Sequence, residues 1–120
     1  EAAPPPQAPQ GRPGPVQAPW CFPEKRVVVL TARVHPGESP AQLVCDGALD
    51  FLLSSDPRAR ALRRAFVFKV VPLINPDGVA RGHYRADSQG LNLNRCYDEP
   101  DPARHPTVWA VRRLLQALAA

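Results

Sequence analysis

The sequence is poor in cysteine, lysine and aromatic residues, and each shortage removes a class of protein. Cys21, Cys45 and Cys96 are odd in number and none stands in a C-x-x-C pair. Neither a disulfide framework nor a thiolate zinc site is suggested, and a reducing compartment fits best. No run of 18 or more apolar residues occurs, and the first residues lack the apolar segment of a secretory signal, so no membrane partner is expected. Of the 15 basic residues only Lys25 and Lys69 are lysines, so arginine carries the net charge of +4. Arg58, Arg60, Arg63 and Arg64 form the densest group. Such a surface allows acidic partners. Nucleic acid is not expected, because no aromatics interleave with these arginines and no nucleic-acid module is present; a solvated helix face is the reading adopted.

Proline, by contrast, is abundant. Eight of the 16 prolines lie in residues 1–23, which read as an extended linker or tail whose end Trp20 and Phe22 could dock. About a hundred residues are left to fold, and a start at Glu1 suggests an incomplete chain. From Arg26, Val27-Val28-Val29-Leu30 is a continuously apolar, mostly β-branched run that suits a strand buried on both faces of a parallel sheet. Ser39-Pro40-Ala41-Gln42 predicts a helix start, with Ser39 as cap and Gln42 in the capping-box position. That helix should run to about Leu53 with Val44, Ala48 and Leu52 on its apolar stripe. Asp56-Pro57 opens a short arginine-rich helix ending near Ala65, and residues 66–71 read as a second buried strand. Asn75-Pro76-Asp77-Gly78 is a turn signal, residues 79–104 read as a long functional loop, and Pro106 begins a last helix with Val108, Val111, Leu115 and Leu118 on one face.

His35-Pro36-Gly37-Glu38 follows the first strand and opens the first helix, at the sheet edge where α/β proteins place ligands. Proline holds His35 extended, glycine permits a tight reversal, and Glu38 can turn back toward the imidazole. Zinc accepts both donor types. The plainer alternative is a surface histidine near a glutamate that favours a helix N-terminus. Further on, Gly82-His83-Tyr84-Arg85 and Gly90-Leu91-Asn92-Leu93-Asn94-Arg95 set two arginines in turn-rich surroundings. A guanidinium can bind a carboxylate through two hydrogen bonds or stabilise a developing oxyanion. Alternatively, Arg85 pairs with Asp87 and Arg95 with Asp98, or both extend into water.

In order and approximate spacing, these motifs resemble the cytosolic carboxypeptidase family of zinc metallocarboxypeptidases, over about residues 24–118. The stretch 82–95 is most similar to the branch associated with removing glutamates from modified tubulin. The resemblance implies an α/β fold, the N-terminal part of a carboxypeptidase-like sheet flanked by helices, with residues 24–120 a partial catalytic domain. It implies one Zn2+ held by His35 and Glu38, a substrate carboxylate held by Asn94 and Arg95, and a scissile carbonyl polarised by Arg85. The family's third ligand, a histidine, and its base glutamate lie further downstream, so the isolated chain is expected to lack activity. Acidic C-terminal tails or glutamate side chains, tubulin's above all, are the implied partners, and the cytosol, with microtubules and nucleus, the implied location. His83 and His105 are read as structural or substrate-adjacent, and Glu99 and Asp101 have no claim to the role of base.

Two other readings remain. One is a zinc amidohydrolase of the aspartoacylase type, which shares the H-x-x-E pair; the Asn75-Pro76-Asp77-Gly78 turn followed by arginine motifs favours the peptidase. The other is a catalytically dead, arginine-rich binding module for acidic proteins.

Overall fold

The computed structural model describes residues 22–119. The tail reading for residues 1–21, Trp20 included, lies outside them; Phe22 is exposed, with Lys25 Nζ 4.6 Å from its ring centre. The elements run β1 (Arg26–Thr31), α1 (Ser39–Leu53), α2 (Pro57–Ala65), β2 (Phe66–Val71), α3 (Pro76–Ala80), a 3-10 turn (Leu93–Arg95) and α4 (Pro106–Ala119). β1 and β2 pair in parallel, Arg26 opposite Phe66 through Thr31 opposite Val71. This requires the crossover that α1 and α2 supply. Alternation of side chains puts Val27 and Val29 on one face and Val28 and Leu30 on the other. α4 lies along the first face, bordering Val27, Val29 and Val71. α1 borders Leu30 on the second.

The strands are less buried than their apolar runs suggest. Val27 is exposed, and Val28, Val29 and Leu30 are half-buried. With two strands among the described residues, each keeps one unpaired edge, and a single helix cannot close a whole face. The stripe on α1 is likewise open: Leu52 is buried, but Val44 is 73% exposed and Ala48 is also exposed. The predicted cap on α1 also fails. Glu38, not Ser39, occupies the N-cap, no side chain caps it, and Gln42 instead donates to Asp46 Oδ1 at 2.9 Å. Pro40 in the first turn needs no amide partner, which lowers the demand for a cap.

α2 begins as its sequence dictates, with Asp56 Oδ1 accepting from the Arg58 amide at 2.8 Å. Its arginines are not all solvated. Arg58 returns to Asp56, while Arg63 reaches the carbonyls of Leu52 and Ser54 at the end of α1. Unpaired helix-terminal carbonyls accept such a cation well. The core, formed by Ile74, Leu93, Val108 and Val111 with Val34, Val71, Cys96 and Tyr97 against it, sits beneath the C-terminal ends of both strands. The region read as a loop thus contains a 3-10 turn whose Leu93 is a core residue, and the Asn75 turn opens α3.

Candidate metal centre

β1 ends at Thr31, but its backbone continues to pair: the Ile74 amide donates to Ala32 O at 3.0 Å and the Asn75 amide to Arg33 O at 3.1 Å. This second contact delivers the chain to His35, only 6% exposed. Asn75, 2% exposed, lies beneath the turn. Its Oδ1 accepts from the Gly78 amide at 3.0 Å and its Nδ2 donates to Val34 O at 3.4 Å. A Cβ on Gly78 would come within 2.6 Å of Pro36 Cγ, so only glycine lets α3 pack so closely on the turn. From above, the Gly37 amide donates to Tyr84 O at 2.8 Å. Here too a Cβ would collide, at 2.6 Å from that oxygen. The first three motifs therefore meet around one four-residue turn.

The fourth is joined to it by Asn92. Its Oδ1 accepts from the Asn94 amide at 3.1 Å, which identifies that atom as oxygen, and it lies 3.1 Å from His35 Nε2. Nε2 must then carry the hydrogen, and in the neutral ring Nδ1 keeps its lone pair. Nδ1 faces Glu38 Oε1 at 3.0 Å. Two acceptors at this separation are satisfied by a cation between them, a proton or a metal ion. Imidazole nitrogen and carboxylate oxygen are donors that zinc takes, and a bond from the far ring nitrogen is the usual way a zinc histidine is oriented. His35 and Glu38 thus fit zinc. No group of three or more potential ligands occurs among the described residues, so a third ligand is not found there.

Arg85, Asn94 and Arg95 are all exposed. The pairing of Arg85 with Asp87 and Arg95 with Asp98 does not form: the one guanidinium–carboxylate pair among the described residues is Arg58 with Asp56. Asp87 is buried and otherwise engaged, its Oδ1 accepting from the amides of Gln89 and Leu91 at 2.8 Å each. The Arg95 guanidinium donates to the neighbouring Asn94 carbonyl, at 3.2 Å. Arg85 follows Tyr84, whose carbonyl accepts from Gly37 in the turn of His35 to Glu38, and Asn94 and Arg95 follow Asn92, so both arginine motifs are anchored to that turn by backbone or side-chain bonds.

The remaining histidines have local partners. His83 Nδ1 lies 3.0 Å from Asp87 O, and His105 Nδ1 accepts from the Asp101 amide at 3.1 Å just before α4. Asp101 Oδ1 accepts from the amides of Ala103 and Arg104, and the Arg104 bond foremost holds its carboxyl below the usual range.

A parallel sheet whose strand ends carry an H-x-x-E turn defines a class, and comparison with known proteins agrees. Residues 21–112 match the zinc carboxypeptidase family, and the chain belongs to it. Among its relatives, cytosolic carboxypeptidase-like protein 5 of Ailuropoda melanoleuca is 56% identical over 98 residues, 81% of this chain and 11% of that protein. Cytosolic carboxypeptidase 6 of Mus musculus is 50% identical over 77% of this chain and 17% of its own length. The crystal structure of a putative carboxypeptidase A from Shewanella denitrificans OS-217 superposes with a TM-score of 0.77 at 40% identity, covering 80% of this chain and 26% of that one. The chain therefore spans about a tenth to a sixth of the curated relatives and a quarter of the solved domain. Family membership also implies zinc as the metal and favours the peptidase over the aspartoacylase reading.

Proposed function

We propose that this chain supplies part of the active site of a zinc metallocarboxypeptidase that removes C-terminal residues, glutamates in particular, from acidic protein tails such as those of tubulin. The observation that carries the reading is His35 Nδ1 held 3.0 Å from Glu38 Oε1 while Nε2 lies 3.1 Å from Asn92 Oδ1. One zinc ion is held there by His35 and Glu38. Bound there, zinc supplies Lewis-acid polarisation of a carbonyl and acidifies water. The chain's own residues do the rest of the binding. Asn94 donates an amide hydrogen and Arg95 a planar fork to the substrate's terminal carboxylate. Arg85 stabilises the negative charge that develops on the attacked carbonyl oxygen. The exposure of both guanidiniums and their lack of a carboxylate partner among the described residues supports these roles.

Glutamate preference draws support from the basic balance of the chain and from the similarity to the glutamate-removing branch. The names of the relatives support a cytosolic site of action, with association with microtubules and presence in the nucleus as the finer proposal. The test is release of free glutamate from peptides bearing glutamate chains, compared with N-acylated amino acids and with peptides amidated at the C-terminus. Residues 1–120 alone release little or nothing. A longer polypeptide that adds a downstream histidine and glutamate releases terminal glutamate in a chelator-sensitive way. Robust turnover by residues 1–120, or preferred cleavage of N-acylated amino acids by the longer polypeptide, overturns the reading. Acidic-peptide binding that survives both chelation and His35→Ala, without any release by the longer polypeptide, establishes the binding module instead.

A further inference from the structure

One residue beside the metal turn carries two local costs that the site described so far does not use. Arg33 has φ +56°, the one non-glycine residue with positive φ among those described. A branched or bulky side chain seldom adopts this left-handed conformation unless its surroundings over-determine it. Arg33 is so fixed: the Ala32 amide donates to Val71 O at 3.1 Å, Ala32 O accepts from Ile74 and Arg33 O accepts from Asn75. Its Nε is also the one buried side-chain nitrogen or oxygen without a hydrogen-bond partner among the described residues. Native proteins seldom leave a buried donor unpaired, because it has given up its water for nothing. What Arg33 gains in return is a bond from Nη2 to Pro36 O, which spans the two residues between them.

That bond crosses the segment whose geometry decides whether His35 and Glu38 converge. The left-handed backbone at Arg33 turns the chain away from β2 just before His35, and the guanidinium then fixes the carbonyl between His35 and Gly37. We propose that Arg33 is a positioning residue for the metal pair, acting through Pro36 to hold the imidazole of His35 against Glu38. The proposal rests on the reading of His35 and Glu38 as zinc ligands, and it assigns Arg33 no contact with the metal or the substrate. The orphaned Nε then has a reason: the side chain is aimed by Nη2 at Pro36 O, and Nε meets no acceptor there among the described residues.

The test uses the 120-residue chain with two substitutions. Arg33→Gly relieves the backbone and removes the guanidinium; Arg33→Asn tolerates the left-handed backbone and also removes it. In both, zinc affinity measured by competition falls about tenfold, the low end of what loss of a supporting contact costs a metal site. The thermal midpoint of Arg33→Gly is equal to or above the parent's, because strain is gone. Without metal, the His35 ring 15N shifts leave the single Nε2–H tautomer of the parent and move toward an average of the two. Unchanged affinity together with unchanged ring shifts overturns the proposal, as does a midpoint that falls in step with affinity, the mark of a merely structural residue. Weakening in Arg33→Gly but not in Arg33→Asn assigns the effect to backbone rigidity and removes the guanidinium's part. If the parent chain binds no zinc, the metal reading fails, and the ring shifts alone still decide what Arg33 does.

Discussion

Asn92 shows how much one amide can decide. Its oxygen receives a backbone hydrogen from Asn94 and the ring hydrogen of His35, so it links the turn of Asn94 and Arg95 to His35 and Glu38 and chooses the histidine tautomer. The sequence displays Asn92 inside the arginine motif without displaying this role, because its partner lies 57 residues away. Asn75 is similar: its amide supports Val34 from 41 residues away, and the turn read at Asn75 to Gly78 is the start of α3, which Asn75 caps. His35 and Glu38 were legible because their contact is three residues long and a proline and a glycine shape it. Asn92→Ala should weaken zinc affinity by about 10–100-fold, the range for loss of a group that orients a ligand. Competition titration checks it, and Asn92→Asp, which keeps an acceptor for His35, retains most of the affinity.

Among the elements, both strands and the three longer helices could be placed from apolar period and from Pro next to a capping residue. α3 and the 3-10 turn could not, since five and three residues are too short to show a period. They are also the elements that carry the site's supports. Gly37 lies where the turn meets the loop after α3, and an added methyl must push Tyr84 O away from 2.6 Å. Gly37→Ala should therefore cost about 1–3 kcal/mol, the usual range for overpacking, measurable by urea unfolding. At α2 the prediction concerns pH. The Arg58 side chain, first among its partners, holds the Asp56 carboxyl below its usual range. A folded pKa below the unfolded one gives stability that is full above about pH 4 and lost as pH falls through the folded value. Asp56→Asn, which still caps, should lower the neutral midpoint slightly and flatten its fall below about pH 4, because the variant lacks the contribution that acid removes.

At the scale of the molecule, the core and the site are one structure. Ile74 is 1% exposed, stands next to Asn75 and packs with Leu93, which lies between Asn92 and Asn94. Ile74→Ala should destabilise by about 2–5 kcal/mol, and zinc affinity should fall with it. The opposite sides of the sheet are less complete. A cavity of about 330 Å³ between β1 and α1, lined by Leu30, Ala32, Val44, Cys45 and Ala48, is apolar and open. Exposed apolar surface of this kind binds hydrophobic dyes, so the chain should enhance ANS fluorescence, and Val44→Glu should reduce the signal without altering zinc affinity. Apolar runs in the sequence revealed which residues form strands; they could not reveal that Val27 and Val44 stay exposed, because burial depends on what else covers them.

The measurement that bears most directly on the centre is calorimetric titration of the metal-free chain with zinc, beside His35→Ala and Glu38→Gln. The expected result is one zinc per chain in the parent and none in either variant, with all three sharing the same fold by circular dichroism. Equal zinc binding by the parent and both variants would contradict it.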